Sequence, residues 1–78
     1  MKGLSAAQQY VIDRMNDGWE LGADRTMHGR CWIQKGGIGH GGEAETISIS
    51  TFQALQQRGI VRSKGHDFPT ERFELVSA

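Results

Sequence analysis

The last third of the chain most constrains its fold, because it combines a capped helix with a glycine stop. Ser48 is a good N-cap, since its hydroxyl can accept one of the backbone N–H groups that a helix start leaves unpaired. Apolar residues then recur at helical spacing: Ile49, Phe52 and Leu55. Gly59 follows at a position where a left-handed residue commonly ends a helix. The pattern predicts a helix over Ile49–Arg58.

Two strand-like segments follow that glycine directly. They are Ile60–Ser63 and Thr70–Val76, and the residues from Lys64 to Pro69 between them suit a turn. Alternation along the second segment directs Phe73 inward and its neighbours outward. The C-terminal third is therefore predicted to be a helix followed at once by a hairpin.

The first half of the chain repeats this order. Ser5 and Gln8 match a capping box, in which each side chain satisfies a backbone group at the helix start. A helix from about Ala6 to Asp17 follows and ends at Gly18. Residues 19–23 alternate as a strand does, residues 30–34 have strand composition, and residues 26–29 suit the turn between them.

Residues 35–46, KGGIGHGGEAET, interrupt the pattern with five glycines in seven positions. Glycine loses the most entropy on ordering, so this stretch predicts a flexible loop or a loop that orders on a partner. A phosphate-binding loop needs its lysine after the glycines. Here Lys35 precedes them and the acidic Glu43 follows, so a nucleotide site is a poor interpretation.

Together these elements predict one α+β domain over residues 1–78, in the order helix, hairpin, helix, hairpin. A helix joined directly to a hairpin is the second half of a winged helix, in which the helix is the recognition element and the hairpin is the wing. The position of the usual middle helix is taken here by the first hairpin and the glycine-rich loop. Either a short helical turn lies near Glu43–Ile47, or the helix-turn-helix half is incomplete. The prediction is a winged-helix-like domain.

Composition limits the kinds of function. The 78 residues carry a formal net charge of zero, which argues against binding nucleic acid by bulk basicity. One cysteine, Cys31, cannot form an internal disulfide, and the N-terminal residues lack an apolar leader. We therefore expect a cytoplasmic protein that does not enter a membrane. The oligomeric state stays open, a dimer included.

From Leu4 onward the chain resembles the YjhX family of small bacterial proteins, which are toxin-like inhibitors of DNA topoisomerase I. The shared features are the LSxxQ helix start at Leu4–Gln8, a closing glycine at Gly18, and a helix of the T-x-F-x-x-L type followed by a hairpin. In this chain the helix carries Thr51, Phe52 and Leu55, with the threonine directly before the phenylalanine. The helix and its exit also resemble those of phage-type winged-helix proteins. The resemblance implies a winged-helix-like fold and an inhibitor of a host protein. The loop Gly36–Gly42 differs from that family.

Side chains able to hold a metal are scattered. A structural zinc site needs four converging ligands, usually in two close pairs. Only His28 and Cys31 form a close pair, while His40 and His66 stand alone in polar segments. We expect no metal, no cofactor, no small-molecule substrate and no enzymatic activity.

The outward face of the second helix and the last hairpin carry the candidate binding residues. Uncharged polar side chains beside an arginine suit base edges in the major groove, and cations on the wing suit phosphates. The same composition also fits a merely solvated face. The candidates for a nucleic-acid-binding set are Ser50, Thr51, Gln53, Gln57, Arg58, Arg62, Lys64 and Arg72. Two functions remain open: a DNA-binding regulator that contacts duplex DNA, or a small toxin-like or phage-encoded inhibitor that binds a host protein such as a topoisomerase.

The predicted core joins the two helices and the two hairpins. Phe52 and Leu55 should be buried against a set of apolar residues: Val11, Ile33 and Phe73. Trp19 and Trp32, the largest apolar side chains, are both expected in the core, although alternation with Cys31 and Ile33 would direct Trp32 outward.

Overall fold

The computed structural model of the protein describes residues 3–24, 29–67 and 70–76, and of residues 66 and 67 it describes only the backbone. The described residues form two helices and five strands. They are α1 (Ala6–Asn16), β1 (Trp19–Asp24), β2 (Cys31–Lys35), β3 (Ala44–Ile47), α2 (Ile49–Gln57), β4 (Val61–Asp67) and β5 (Thr70–Leu75). The α+β class is confirmed. The predicted turn residues 26–28 and Pro69 lie outside the described residues.

The helix ends follow from local hydrogen bonds. The Ser5 hydroxyl accepts from Gln8 N at 3.1 Å, and the Gln8 side chain accepts from Ser5 N at 3.3 Å. At the end of α2, Gly59 adopts φ +71°, and Ile60 N donates to Leu55 O at 3.0 Å. That bond from the second residue beyond the C-cap, Arg58, is the mark of a Schellman ending. The predicted capping box and glycine stop are both confirmed.

All five strands form one antiparallel sheet in the order β3-β2-β1-β5-β4. The prediction of two separate hairpins missed β3, of which all but the last residue, Ile47, fall in the predicted glycine-rich loop. The segment Ala44–Ile47 is short and half polar, so its sequence carries no strong strand signal. Pairing with β2, with Ile47 opposite Cys31 and Glu45 opposite Ile33, makes it a strand. The chain order is therefore helix, three strands, helix, two strands.

Both helices pack on one face of the sheet, here called the helix face, and the opposite side is the far face. Strand alternation directs Leu21, Ile33 and Phe73 to the helix face. These three side chains are at most 2% exposed. They form one cluster with residues of the two helices, Val11, Phe52 and Leu55, so the predicted core is confirmed.

The two tryptophans lie on opposite faces. Trp19 is 6% exposed within the core. Trp32 is half-buried on the far face, because its neighbours Cys31 and Ile33 both point to the helix face. The expectation that both indoles are in the core was therefore wrong for Trp32, and strand alternation is the reason.

The glycine-rich loop is shorter than predicted. It covers residues 36–43, since Lys35 ends β2 and Ala44 begins β3. Lys35 N donates to Glu43 O at 2.8 Å and closes the loop. Four of its glycines, at positions 36, 37, 39 and 41, have φ between +78° and +109°, a region that side chains other than glycine rarely adopt.

Among the described residues, neither helix is long and apolar enough to cross a membrane.

Candidate functional site

The outward side of α2 presents a row of polar side chains. Ser50, Gln53 and Gln57 are exposed and lie three and four residues apart, which places them on one side of the helix. Arg58, also exposed, follows them as the C-cap. We call these four residues the α2 row. Beside the row, at the first turn, the apolar Ile49 is 47% exposed, although its position in the sequence pattern placed it toward the core.

Thr51, the remaining candidate on this helix, is not part of that surface. The residue is 8% exposed, and its hydroxyl lies 2.7 Å from the Ser48 hydroxyl. Ser48 Oγ also accepts from Thr51 N at 3.1 Å. Thr51 therefore takes part in the hydrogen bonds that cap the N-terminus of α2. Its position does not support the prediction that it belongs to an exposed contact set.

The structure separates the wing cations from α2. Val61 and Phe73 point to the helix face, so the alternating positions Arg62 and Arg72 point to the far face. A register shift between Ser63 and Gly65 makes a bulge at Lys64, whose side chain also lies on the far face. The eight predicted residues thus form two groups on opposite sides of the sheet rather than one surface.

Two of the far-face cations are engaged by carboxylates. Arg62 Nε lies 2.8 Å from Glu74 Oε2, and these side chains are 62% and 38% exposed. Lys64 Nζ lies 2.5 Å from Glu20 Oε2, with the lysine side chain 38% exposed and the glutamate side chain 9% exposed. A phosphate that approached either cation would have to compete with a carboxylate already in place.

The pKa of Glu20, on the far face, is perturbed by its surroundings. Burial raises the pKa of its carboxyl, but the hydrogen bond from Lys64, the bond from Ile38 N and the charges of Lys64 and Arg72 outweigh burial. The pKa of Glu20 consequently lies below its usual range, and the group is ionised at neutral pH.

A cleft of about 460 Å³ opens where β1 and β5 part. The two strands pair only as far as Leu21 and Phe73, and beyond that point Trp19 and Leu75 line opposite sides of the gap. Acidic, basic and apolar side chains all contribute to the lining. Its charged and titratable members are Glu20, His40, Lys64, Arg72 and Glu74. The described lining includes no serine, threonine or cysteine, so it offers no hydroxyl or thiol nucleophile.

The candidate metal ligands do not converge. Within the described part of the chain, no group of three or more His, Cys, Asp or Glu side chains could hold a metal ion. Cys31 is buried at 3% exposure, and burial raises the pKa of its thiol, so the thiolate needed for metal binding or attack is disfavoured. The side chains of His28 and His66 lie outside the described residues.

Sequence reasoning missed the far-face role of Glu20, Gly22 and Ile38. Ile38 N donates to Glu20 Oε1 at 2.8 Å, and a Cβ added to Gly22 would overlap the Ile38 side chain. The sequence contains one signal of this role, because Glu20 and Gly22 alternate with the core residues of β1. A buried acid in a strand needs a partner, and a strand glycine often marks a close approach.

Comparisons with protein-family models, with curated proteins and with solved structures each find no match for this chain.

Proposed function

We propose that this protein is a non-enzymatic module that binds a partner protein through the α2 row and the neighbouring Ile49. The observation that carries the proposal is the separation of charge: Arg62, Lys64 and Arg72 lie on the far face, away from α2. Arg58 is the only charged residue between Ser48 and Gly59.

The magnitude of the electrostatic contribution favours a protein over DNA. Each neutralised phosphate adds about 0.9 to the salt dependence of binding, and a duplex-binding protein typically makes about 6–10 such contacts. Arg58 supplies one cation on the α2 side. A weakly charged surface with one arginine and an exposed isoleucine instead has the composition of a protein interface, whose centre is depleted in lysine and acids and enriched in arginine.

The element order supports a winged-helix plan as part of this proposal. In that plan α1 and β1 come first, α2 is the recognition helix, and β4 and β5 form the wing. The central pairing of β1 with β5 and of β5 with β4 agrees with it. The β2–β3 hairpin then occupies the place of the middle helix. A host-protein inhibitor is also what the resemblance to the YjhX family implies, with DNA topoisomerase I as the first partner to test.

Photo-crosslinking inside the producing cell tests the proposal without a prior choice of partner. A benzoylphenylalanine at Gln53 reports on the α2 row, and the same group at Arg62 is the matched far-face control. We expect a crosslinked product from position 53 that protease removes and nuclease does not, and little product from position 62. Crosslinks to nucleic acid at position 53, or equal protein products from both positions, would contradict the proposal.

A relaxation assay then tests the specific partner. Wild-type protein should slow the relaxation of supercoiled DNA by topoisomerase I, and Ile49→Ala combined with Gln53→Ala should weaken that effect. Arg62→Ala should behave as wild type. If crosslinking from position 53 identifies another protein, the binding surface stands and topoisomerase I is excluded as the partner.

A DNA-binding regulator is the second candidate, and the exposed amides of Gln53 and Gln57 favour it. Glutamine can pair with adenine and arginine with guanine in the major groove. In this case Gln53→Ala and Gln57→Ala should relax sequence preference, and Arg58→Ala should weaken binding to all sequences. Because Arg62 and Lys64 lie on the far face, replacing either with alanine should leave this binding unchanged. A flat titration of wild-type protein against a random duplex pool at low salt would exclude this candidate.

A further inference from the structure

The glycine-rich loop, residues 36–43, lies across the far face of β1. Gly36 N donates to Gly18 O at 3.2 Å at the point where the loop leaves β2. The side chain of Ile38 then occupies the space over Gly22, close to the Trp32 ring, where even one added methyl group would not fit. Ile38 therefore covers the only stretch of β1 that presents a bare backbone on this face.

Glu20 holds this loop with one oxygen and the last hairpin with the other. Oε1 accepts the Ile38 N–H at 2.8 Å, and Oε2 lies 2.5 Å from Lys64 Nζ in the bulge of β4. The loop and the bulge have no strand pairing with each other, since β1 and β5 lie between β2 and β4 in the sheet. One carboxylate therefore connects two segments from opposite halves of the sheet.

We propose that Glu20 couples the terminal hairpin to the glycine-rich loop: Lys64 holds the carboxylate where it anchors Ile38, and displacement of Lys64 releases the loop from β1. The inference concerns the far face and does not depend on what α2 binds. Glu20 is a positioning residue for the loop, and Lys64 determines whether Glu20 holds the loop in place.

The physical reason is the cost of a buried charge that loses its hydrogen-bonded counter-charge, which leaves the more weakly acting charge of Arg72. With Lys64 in place, its ammonium group balances the charge of the Glu20 carboxylate, whose side chain is 9% exposed. Without Lys64 the ionised group gains by turning toward water, and Ile38 N then loses its acceptor. The glycines at 36, 37, 39 and 41 give the released loop other backbone conformations at low cost. Release uncovers Gly22 and the ring of Trp32.

The two side chains of the Glu20–Lys64 ion pair differ in solvent exposure, and this difference indicates which of them a partner would contact first. Lys64 is 38% exposed, whereas Glu20 is 9% exposed, so an acidic group on a partner reaches the lysine first. The pair Arg62–Glu74 differs in this respect, because its side chains are 62% and 38% exposed and Arg62 bonds to Glu74 rather than to Glu20. Arg62 is therefore a matched control on the same strand and the same face.

Amide hydrogen exchange measured by NMR tests the coupling. In wild-type protein the Ile38 amide should be protected. Lys64→Met should accelerate its exchange about tenfold or more, the scale of a hydrogen bond to a charged group, while the core amide of Leu21 keeps its rate. Lys64→Arg should restore protection, and Arg62→Met should leave Ile38 unchanged.

Several results would overturn the inference. An unprotected Ile38 amide in wild-type protein would mean that the loop is not anchored. Unchanged exchange in Lys64→Met, or equal acceleration in Arg62→Met, would show that Lys64 has no specific role. Parallel acceleration at Ile38 and Leu21 would show a loss of global stability instead of a local release.

Discussion

Truncating Phe52 tests the core and the orientation of α2 together. The Phe52 side chain is 9% exposed, and its ring meets that of Phe73 edge to face, with centroids 4.9 Å apart at 77°. Removal of a buried phenylalanine costs about 3–5 kcal/mol. Domains are stable by about 0.05–0.15 kcal/mol per residue, which for this chain is roughly 4–12 kcal/mol. Phe52→Ala should therefore lose a quarter or more of the free energy of unfolding.

Urea denaturation followed by circular dichroism measures this loss. At a slope of about 1 kcal/mol per M of urea, the midpoint of Phe52→Ala should fall by about 3–5 M, and a wild type of low stability would leave the variant largely unfolded in buffer. Gln53→Ala is the control, because the neighbouring side chain is exposed and alanine is a good helix former. Its midpoint should stay close to that of wild type.

The outcome also bears on the binding surface. If Phe52→Ala unfolded like wild type, or if Gln53→Ala lost as much stability, α2 would be rotated relative to this structure. The α2 row would then not face solvent, and the proposed interface would lose its basis.

Three further changes test the far face, the helix start and the loop. Because the folded pKa of Glu20 lies below its unfolded value, its stabilisation is present above about pH 4.3 and is lost as pH falls through the folded pKa. Glu20→Gln should thus be about 1–3 kcal/mol less stable than wild type at pH 7, and its free energy of unfolding should fall less steeply as the pH is lowered. Urea titrations at several pH values measure both effects, and a pH dependence equal to that of wild type would refute this. Ser48→Ala should cost about 1 kcal/mol by loss of the helix cap, seen as a lower melting temperature, and an unchanged melting temperature would contradict the cap. Gly42→Ala should cost about 1–3 kcal/mol of stability, because its Cβ would overlap the backbone carbonyl of Lys35. Gly3→Ala is the control, since Gly3 has open space around it, and this variant should have the melting temperature of wild type. Equal melting temperatures for the two variants would count against the loop geometry.

The helices and their ends were predictable because their signals are local. A cap such as Ser48 and a stop such as Gly59 act on backbone groups within a few residues, so the sequence window contains all the partners involved. The core residues of α2 and β5 were equally accessible, because hydrophobic periodicity reports which side of an element is buried.

The boundary between the glycine-rich loop and β3 could not be predicted from local sequence signals. Ala44–Ile47 becomes a strand only because β2 offers it backbone partners, and pairing of that kind is a tertiary interaction. The glycines near it dominated the sequence signal, so the strand was assigned to the loop.

Only the tertiary structure decided which side of the sheet the helices cover and which charges share a surface with α2. The sequence by itself determined two capped helices, an α+β composition, most of the strands and the buried apolar set. Because Arg62, Lys64 and Arg72 are close to α2 along the chain, they were predicted to share one surface with the α2 residues. Strand alternation and the pairing of β5 with β1 sent these cations to the far face, where Glu20 and Glu74 meet two of them. Charges near in sequence become one surface only if the backbone directs them to the same side, and that direction depends on pairing partners dozens of residues away.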